Sequence, residues 1–308
     1  MDWWQAILLG VLQGLTEFLP VSSSGHLVLG QQFFRLTREE SGAALFFDGM
    51  VHLGTTLAVI CYFWRERSKR PPVKNGKQAD SAYSDQSAAW SEPSANVQKA
   101  CVCAAEHTDA GLSWGWWLWL LGWASLPAAL AVLLLNRAIR DSFVNVPLVA
   151  SNFLILGGLL WATDCLSPGT TGAREMCWYH ALLIGVGQAF SAVLRGLSRS
   201  GMTLSVALLL GLERTWAVRF SFAMSIVANL GLALLGAVHA WWERPSAHWF
   251  STAFLGWTLL AALTSALVGY ATMRPLLQLV RQARLRWFSY YLWAMGLVAW
   301  IGYAWRSA

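Results

Sequence analysis

Charge is scarce in this chain. Only 12% of its 308 residues are Asp, Glu, Lys or Arg, against 56% hydrophobic residues, and the mean hydropathy is +0.45. A soluble domain of this length cannot hide so much apolar side chain, so a soluble globular fold is excluded and a polytopic membrane protein is implied. Cysteine is sparse as well: five residues, an odd number, with Cys61 and Cys165 in or beside apolar stretches. No disulfide framework follows from that. Cys101, Cys103 and His107 lie close together but lack the four-ligand spacing of a zinc site. No small-residue cleavage site follows the first apolar segment and Asp2 precedes it, so it is expected to be retained and not removed as a signal peptide. The net charge of +6 needs no nucleic acid, because cytoplasmic loops of membrane proteins are enriched in Lys and Arg. Trp is what the chain has in excess, twenty residues, many near segment ends (Trp114, Trp116, Trp117, Trp241, Trp242, Trp305), as in an interfacial aromatic belt.

Polar text interrupts the apolar text at residues 13–27, QGLTEFLPVSSSGHL. Irregular backbone at membrane depth is tolerated only where it is buried in protein or lines a wet cavity, and ionisable groups there are functional candidates. A polar loop at 35–41 and a span at 45–64 follow. Residues 65–113 are polar, contain Pro71, Pro72 and Pro93, and have no sustained hydrophobic period, so they read as a loop-like cytoplasmic insert. Further spans are expected at 114–135, 146–162, 218–242, 250–273 and 288–305. Residues 179–212 are apolar at both ends and interrupted by RGLSRSGMT.

The two interruptions are one repeat. GVLQGLTEFLPVSSSGHL from Gly10 lies over GVGQAFSAVLRGLSRSGMTL from Gly185; Gln13 falls on Gln188 and, after one inserted residue, Ser22, Ser24 and Gly25 fall on Ser198, Ser200 and Gly201. Interrupted segments in corresponding halves point to a midplane site between inverted repeats. The expected fold is therefore an all-α integral membrane protein with six crossing helices and two opposed re-entrant helix-loop-helix segments. In it, 1–308 form one polytopic domain, with 1–64 and 178–242 as the two repeat cores and 65–113 as the insert. On this topology, of 22 Lys and Arg, fourteen fall on one side and six on the other, leaving Arg195 and Arg199 in the second interrupted segment. The fourteen mark the cytoplasmic side, and the two tips can then meet.

The repeats differ where chemistry would sit: Glu17 faces Ala192, His26 faces Met202 and Ser23 faces Arg199. Arg199 with helix-start amides, which Gly196 and Gly201 leave open to a ligand, suits phosphate; Ser198, Ser200 and Thr203 beside it, with Ser22, Ser24 and Gly25 on the other tip, are candidate substrate-binding residues. The same serines also suit capping of broken helices, and both readings stand. Gln13 and Glu17, at i and i+4, can hold one divalent cation, Mg or Ca, through oxygens. Ser23 and His26 are close enough to share a proton if the second helix begins near Ser24, which would activate the hydroxyl. Asp48 and His52, in FFDGMVHLG, lie one turn apart and can face the same cavity. Together these groups suit phosphoryl transfer.

GLTEFLPVSSSGH, FFDGMVHLGTTLAVI and ALLIGVGQAFSAVLRGLSRSGMT closely resemble the bacterial undecaprenyl-diphosphate phosphatase family, the bacitracin-resistance proteins UppP or BacA. The resemblance covers nearly the whole chain except 65–113. It implies removal of the terminal phosphate from undecaprenyl diphosphate, which recycles the lipid carrier for peptidoglycan synthesis and confers bacitracin resistance. It also implies divalent-metal dependence, a location in the bacterial inner membrane and an active site reached from the periplasmic side. The family's acidic motif falls on Gln13 and Glu17, its serine and histidine on Ser23 and His26, and its arginine on Arg199, so Glu17, Ser23, His26 and Arg199 are the expected catalytic set. The chain departs from the family at Gln13, where a second Glu is frequent; at Arg195, which replaces a proline; and at Val227, also a frequent proline, so that the helix is expected to be straighter. The expected partners are undecaprenyl diphosphate in the bilayer and membrane lipid, with a homodimer left open. Type 2 phosphatidic acid phosphatases share Ser-Gly-His and Ser-Arg elements, but the residues after Arg199, SGMTLSVALLLG, lack that family's His and Asp. The alternative from another class is an inverted-repeat transporter or flippase for a polyprenyl phosphate lipid.

Overall fold

The computed structural model describes residues 1–34, 36, 41–68, 114–135, 146–167, 169–243, 251–281 and 285–307. The insert expected at 65–113 lies outside the described residues from position 69 onward; before it, the helix of the first span continues to Ser68. Ten α-helices and no strand occur among the described residues: α1 Trp3–Thr16, α2 Ser23–Phe33, α3 Ser41–Ser68, α4 Trp114–Leu134, α5 Val146–Asp164, α6 Trp178–Val193, α7 Arg199–Leu209, α8 Arg214–Glu243, α9 Thr252–Arg281 and α10 Arg286–Ser307. Among the described residues, five stretches are long and apolar enough to cross a membrane: Leu45–Arg65, Gly115–Leu134, Val146–Asp164, Arg214–Trp242 and Thr252–Pro275. Large apolar side chains such as Leu133, Leu134, Leu267 and Trp241 stand exposed on these helices, as lipid-facing residues do.

Four main pairings are kept when α1–α5 are exchanged with α6–α10: α1 packs on α9 and α6 on α4, while α3 packs on α8 and α5 on α10; the broad packing of α3 on α9 has only a slight counterpart between α8 and α4. Glycine makes these approaches close. A Cβ on Gly10 would stand 2.5 Å from the Ala261 carbonyl oxygen of α9. Its repeat mate Gly185 lies equally tight against Ala124 of α4. Without water to drive apolar association inside a bilayer, such small-residue contacts are what hold helices together. At the far end of the bundle, Asp164 closing α5 receives Arg286 of α10 at 3.1 Å and lies 3.7 Å from Arg214 of α8.

Each repeat begins as a short helical hairpin. α2 and α7 have 11 residues each, about 16 Å, roughly half of a hydrocarbon core. Both start at a serine N-cap: Ser22 Oγ accepts the Gly25 amide at 3.3 Å and Ser198 Oγ accepts the Gly201 amide at 3.1 Å. The two ends of each hairpin also lie together. Trp4 of α1 and Phe34 beyond α2 meet edge to face at 5.4 Å. Before α6, Thr171 donates its amide to Gly211 and accepts the Glu213 amide, both at 3.0 Å. α8 runs over 30 residues and contains no proline.

Candidate functional site

The hairpin tips meet at one carboxylate. Glu17 directly follows α1, is 4% exposed, and collects donors from four helices. Its Oε2 accepts Gln13 Nε2 at 2.9 Å and the Ser23 hydroxyl at 2.7 Å, and His52 Nε2 of α3 lies 3.5 Å away. Its Oε1 accepts Arg199 Nη2 in a short contact and Asn229 Nδ2 of α8 at 3.1 Å. Arg199 Nη1 in turn donates to Asn229 Oδ1 at 2.6 Å, so the asparagine clamps both members of the ion pair. Arg199 Nε is a buried donor with no partner among the described residues. Ser200 ties the tips further, its hydroxyl donating to the Leu19 carbonyl at 3.2 Å.

The structure thus brings Gln13, Glu17, Ser23, His52 and Arg199 together. It does not bring His26 to Ser23. α2 starts at Ser23, so His26 lies one turn in, where Nδ1 donates to the Ser22 carbonyl at 2.7 Å and Nε2 meets the Tyr291 hydroxyl at 2.6 Å. The imidazole is sandwiched between Phe153 and Tyr291, whose rings are 5.4 and 5.7 Å from it. The side chain that accepts the Ser23 hydroxyl is Glu17.

Several expected substrate-binding residues are occupied within the fold. Gly25 and Gly201 give their amides to the capping serines, and their missing side chains make room for Phe153 and Leu156 of α5; a Cβ on Gly25 would come within 2.6 Å of the Phe153 ring. Ser22 holds a left-handed φ of 71° at the cap, a backbone state that costs a non-glycine residue about 1–3 kcal/mol. Gly196, at φ 98°, turns the chain tightly against Val149, so the room it creates is taken by α5. Thr203 is buried and pins α7 to α8 through the Ser221 hydroxyl at 2.6 Å. Ser198 shares a 3.0 Å hydrogen bond with Ser200. Ser24, half-buried at the start of α2, lies on the tip beside Ser23.

Asn229 and Tyr291 escape a reading of the sequence. Asn229 carries a signal, a lone amide in an apolar thirty-residue helix, where polar groups in a bilayer mark function. Tyr291 is lost among the chain's many aromatics. For a cation, Gln13 Oε1 is buried without a hydrogen-bond partner among the described residues, next to the Glu17 carboxylate. Two protein oxygens suit Mg²⁺, which keeps several waters and leans on substrate phosphates. Among the described residues no group of three or more His, Cys, Asp or Glu is arranged to hold a metal.

The chain is similar to known proteins along nearly its whole length. Residues 6–298 match the family described as bacitracin resistance protein BacA. A protein named undecaprenyl-diphosphatase from Desulforapulum autotrophicum is 36% identical over 299 residues, covering 97% of this chain and 98% of the relative. Proteins of the same name from Desulfosudis oleivorans, at 36% identity, and Carboxydothermus hydrogenoformans, at 32%, cover 97% and 96% of this chain and 98% and 96% of their own lengths. With the match running through both hairpins and the helices that hold them, this chain belongs to the bacitracin resistance protein BacA family.

Proposed function

We propose that this chain hydrolyses undecaprenyl diphosphate to undecaprenyl phosphate and inorganic phosphate, as the names of its relatives suggest. The observation that carries the reading is Glu17, which accepts both the Ser23 hydroxyl of its own hairpin and the Arg199 guanidinium of the other. An arginine alone would bind a phosphate. A serine hydroxyl held 2.7 Å from a buried carboxylate adds an activated nucleophile, which transport does not require.

In the proposed reaction Arg199 receives the terminal phosphate, with its unpartnered Nε as the first available donor. Ser23 Oγ bonds to the terminal phosphorus as its proton passes to Glu17 Oε2. The bond from that phosphorus to the bridging oxygen breaks, and undecaprenyl phosphate leaves. Water then cleaves the phosphoserine and releases inorganic phosphate. Asn229 and Gln13 hold the carboxylate in place, and His26, fixed by Tyr291 and Phe153, stands beside the tip as a positioned acid-base group. A divalent cation, Mg or Ca, held by Gln13 Oε1 and Glu17 would neutralise charge on the phosphate oxygens.

Two re-entrant hairpins and six crossings fit this chemistry. The joined ends of each hairpin and the half-membrane length of α2 and α7 support re-entrance. α10, with 22 residues, is about 33 Å long, packs along α5 and exposes Leu297, Val298 and Ile301, which supports a sixth span. The bacterial plasma membrane, with the site open to the periplasmic side, is the setting in which such an enzyme would recycle the carrier for peptidoglycan synthesis.

The test is phosphate release from farnesyl or undecaprenyl diphosphate by purified protein in detergent. Arg199→Ala and Ser23→Ala are each expected to lower kcat by about 10²–10³-fold or more while the proteins stay folded. Chelation is expected to abolish turnover, with Mg²⁺ or Ca²⁺ restoring it. No release by folded wild type with metal present would overturn the reading in favour of a lipid-phosphate transport site.

A further inference from the structure

A second ion pair stands beside the first. Arg195 lies in the turn between α6 and α7, is 9% exposed, and places Nη1 3.5 Å from Asp48 Oδ2 of α3. Asp48 also accepts Gln31 Nε2 of α2 at 3.0 Å, and the Arg195 carbonyl accepts Asn152 Nδ2 of α5 at 2.6 Å. Asp48 is one turn from His52 on α3, and His52 Nδ1 donates to the Asp48 carbonyl at 2.6 Å while its Nε2 faces Glu17. The two pairs, Arg199 with Glu17 and Arg195 with Asp48, are therefore about one helical turn apart, some 5 Å along α3. In each, a guanidinium from the second hairpin rests on a carboxylate from the first half of the chain. Arg195 and Asp48 lie on the side of the hub toward the end of α2 and the start of α3, the outer side in the topology proposed above.

We propose that Arg195 is the second guanidinium of a two-arginine clamp for a diphosphate: Arg199 takes the phosphate that is transferred and Arg195 the phosphate that stays on the lipid. This rests on the proposed hydrolysis of a diphosphate and assigns the specificity for two phosphates over one. In the resting state both arginines are parked on carboxylates. The Nη1 to Oδ2 separation of 3.5 Å is longer than the 2.7–2.9 Å of a strong charge-assisted bond, and two phosphate oxygens offer a guanidinium a bidentate fit. A buried pair of this kind adds little net stability compared with well-packed apolar side chains, so a bracing role alone explains it poorly. Moving Arg195 onto the lipid-linked phosphate neutralises charge on the group that leaves.

The experiment compares Arg195→Gln with Asp48→Asn in steady-state phosphate release from farnesyl diphosphate, with inorganic phosphate as a competing probe and thermal melting as the check on folding. Both substitutions break the ion pair, but only the first removes the guanidinium. Arg195→Gln is expected to raise KM about ten- to a hundredfold, the loss of one or two charge-assisted bonds, and to leave inhibition by inorganic phosphate unchanged. Asp48→Asn, which keeps the guanidinium and removes the carboxylate charge that competes with phosphate for it, is expected to lower KM. Equal losses in the two variants would reduce the pair to a brace and overturn the proposal, as would a wild-type KM in Arg195→Gln. Absence of turnover in wild type would instead overturn the hydrolysis reading itself.

Discussion

Four side-chain donors converge on the Glu17 carboxylate, and His52 Nε2 lies 3.5 Å from it. Asn229 differs from the others because it works in both directions, donating to Glu17 Oε1 and accepting from Arg199 Nη1. Its removal leaves one buried acceptor and one donor short of a partner, each costing about 1–3 kcal/mol if nothing replaces it. The guanidinium then has freedom to rotate away from the phosphate position. Asn229→Ala is expected to lower kcat/KM for farnesyl diphosphate about ten- to a hundredfold and to reduce the melting temperature by a few degrees, read by phosphate release and thermal melting. Asn229→Asp puts a second anion beside Glu17 and is expected to be worse than alanine for activity, although the residue keeps its size. If both variants keep wild-type turnover, the clamp has no part in catalysis.

At the scale of the element, the hairpins depend on where α1 and α6 are held. Gly10 and Gly14 seat α1 on α9, where a Cβ would stand 2.5 and 2.8 Å from carbonyl oxygens of Ala261 and Ser265. Gly10→Val would push α1 outward and carry Glu17 with it. It is expected to cost about 1–3 kcal/mol as overpacking, and to lower turnover further than that loss of fold accounts for. Gly122→Ala on α4, where nothing lies within 4 Å of the added Cβ, is the control and should melt at or slightly above wild type. Such seats were only partly legible. Gly10 and Gly185 stood out as markers of the repeat, but nothing local told which helix each would touch. Glu17, Ser23 and Arg199 were legible because acid, hydroxyl cluster and guanidinium are foreign to membrane text. Gly25, Gly201 and Thr203 were ambiguous, since capping and helix packing, where the structure uses them, draw on the same residue types as phosphate binding. The Ser23 and His26 pairing failed for a geometric reason: His26, one turn inside α2, turns to the Ser22 carbonyl and to Tyr291, a partner 265 residues away.

For the whole molecule, the proposed topology orients the two hairpins oppositely, and the distribution of charge predicts which one faces out. On the topology proposed above, the bias of fourteen Lys and Arg against six predicts a cytoplasmic start of α6 and an opposite, outer start of α1. The hydrogen bonds between Thr171 and residues 211 and 213 require the second hairpin to return to the end from which it leaves, and the Trp4 and Phe34 contact requires the same of the first. Single cysteines make this testable in a cysteine-free background, because Asp2, Phe33, Glu175 and Glu213 are all exposed. With a membrane-impermeant maleimide on intact cells or spheroplasts, Asp2→Cys and Phe33→Cys are expected to be labelled. Glu175→Cys and Glu213→Cys should react only after permeabilisation. Labelling of Asp2→Cys and Phe33→Cys from opposite faces would make the first hairpin a crossing element and would part the tips that Glu17 and Arg199 join. A reversed pattern, with all four sites on exchanged sides, would keep the hairpins and the hub but turn the Arg195 side of the site toward the cytoplasm, so that the diphosphate would have to reach it from the inner leaflet.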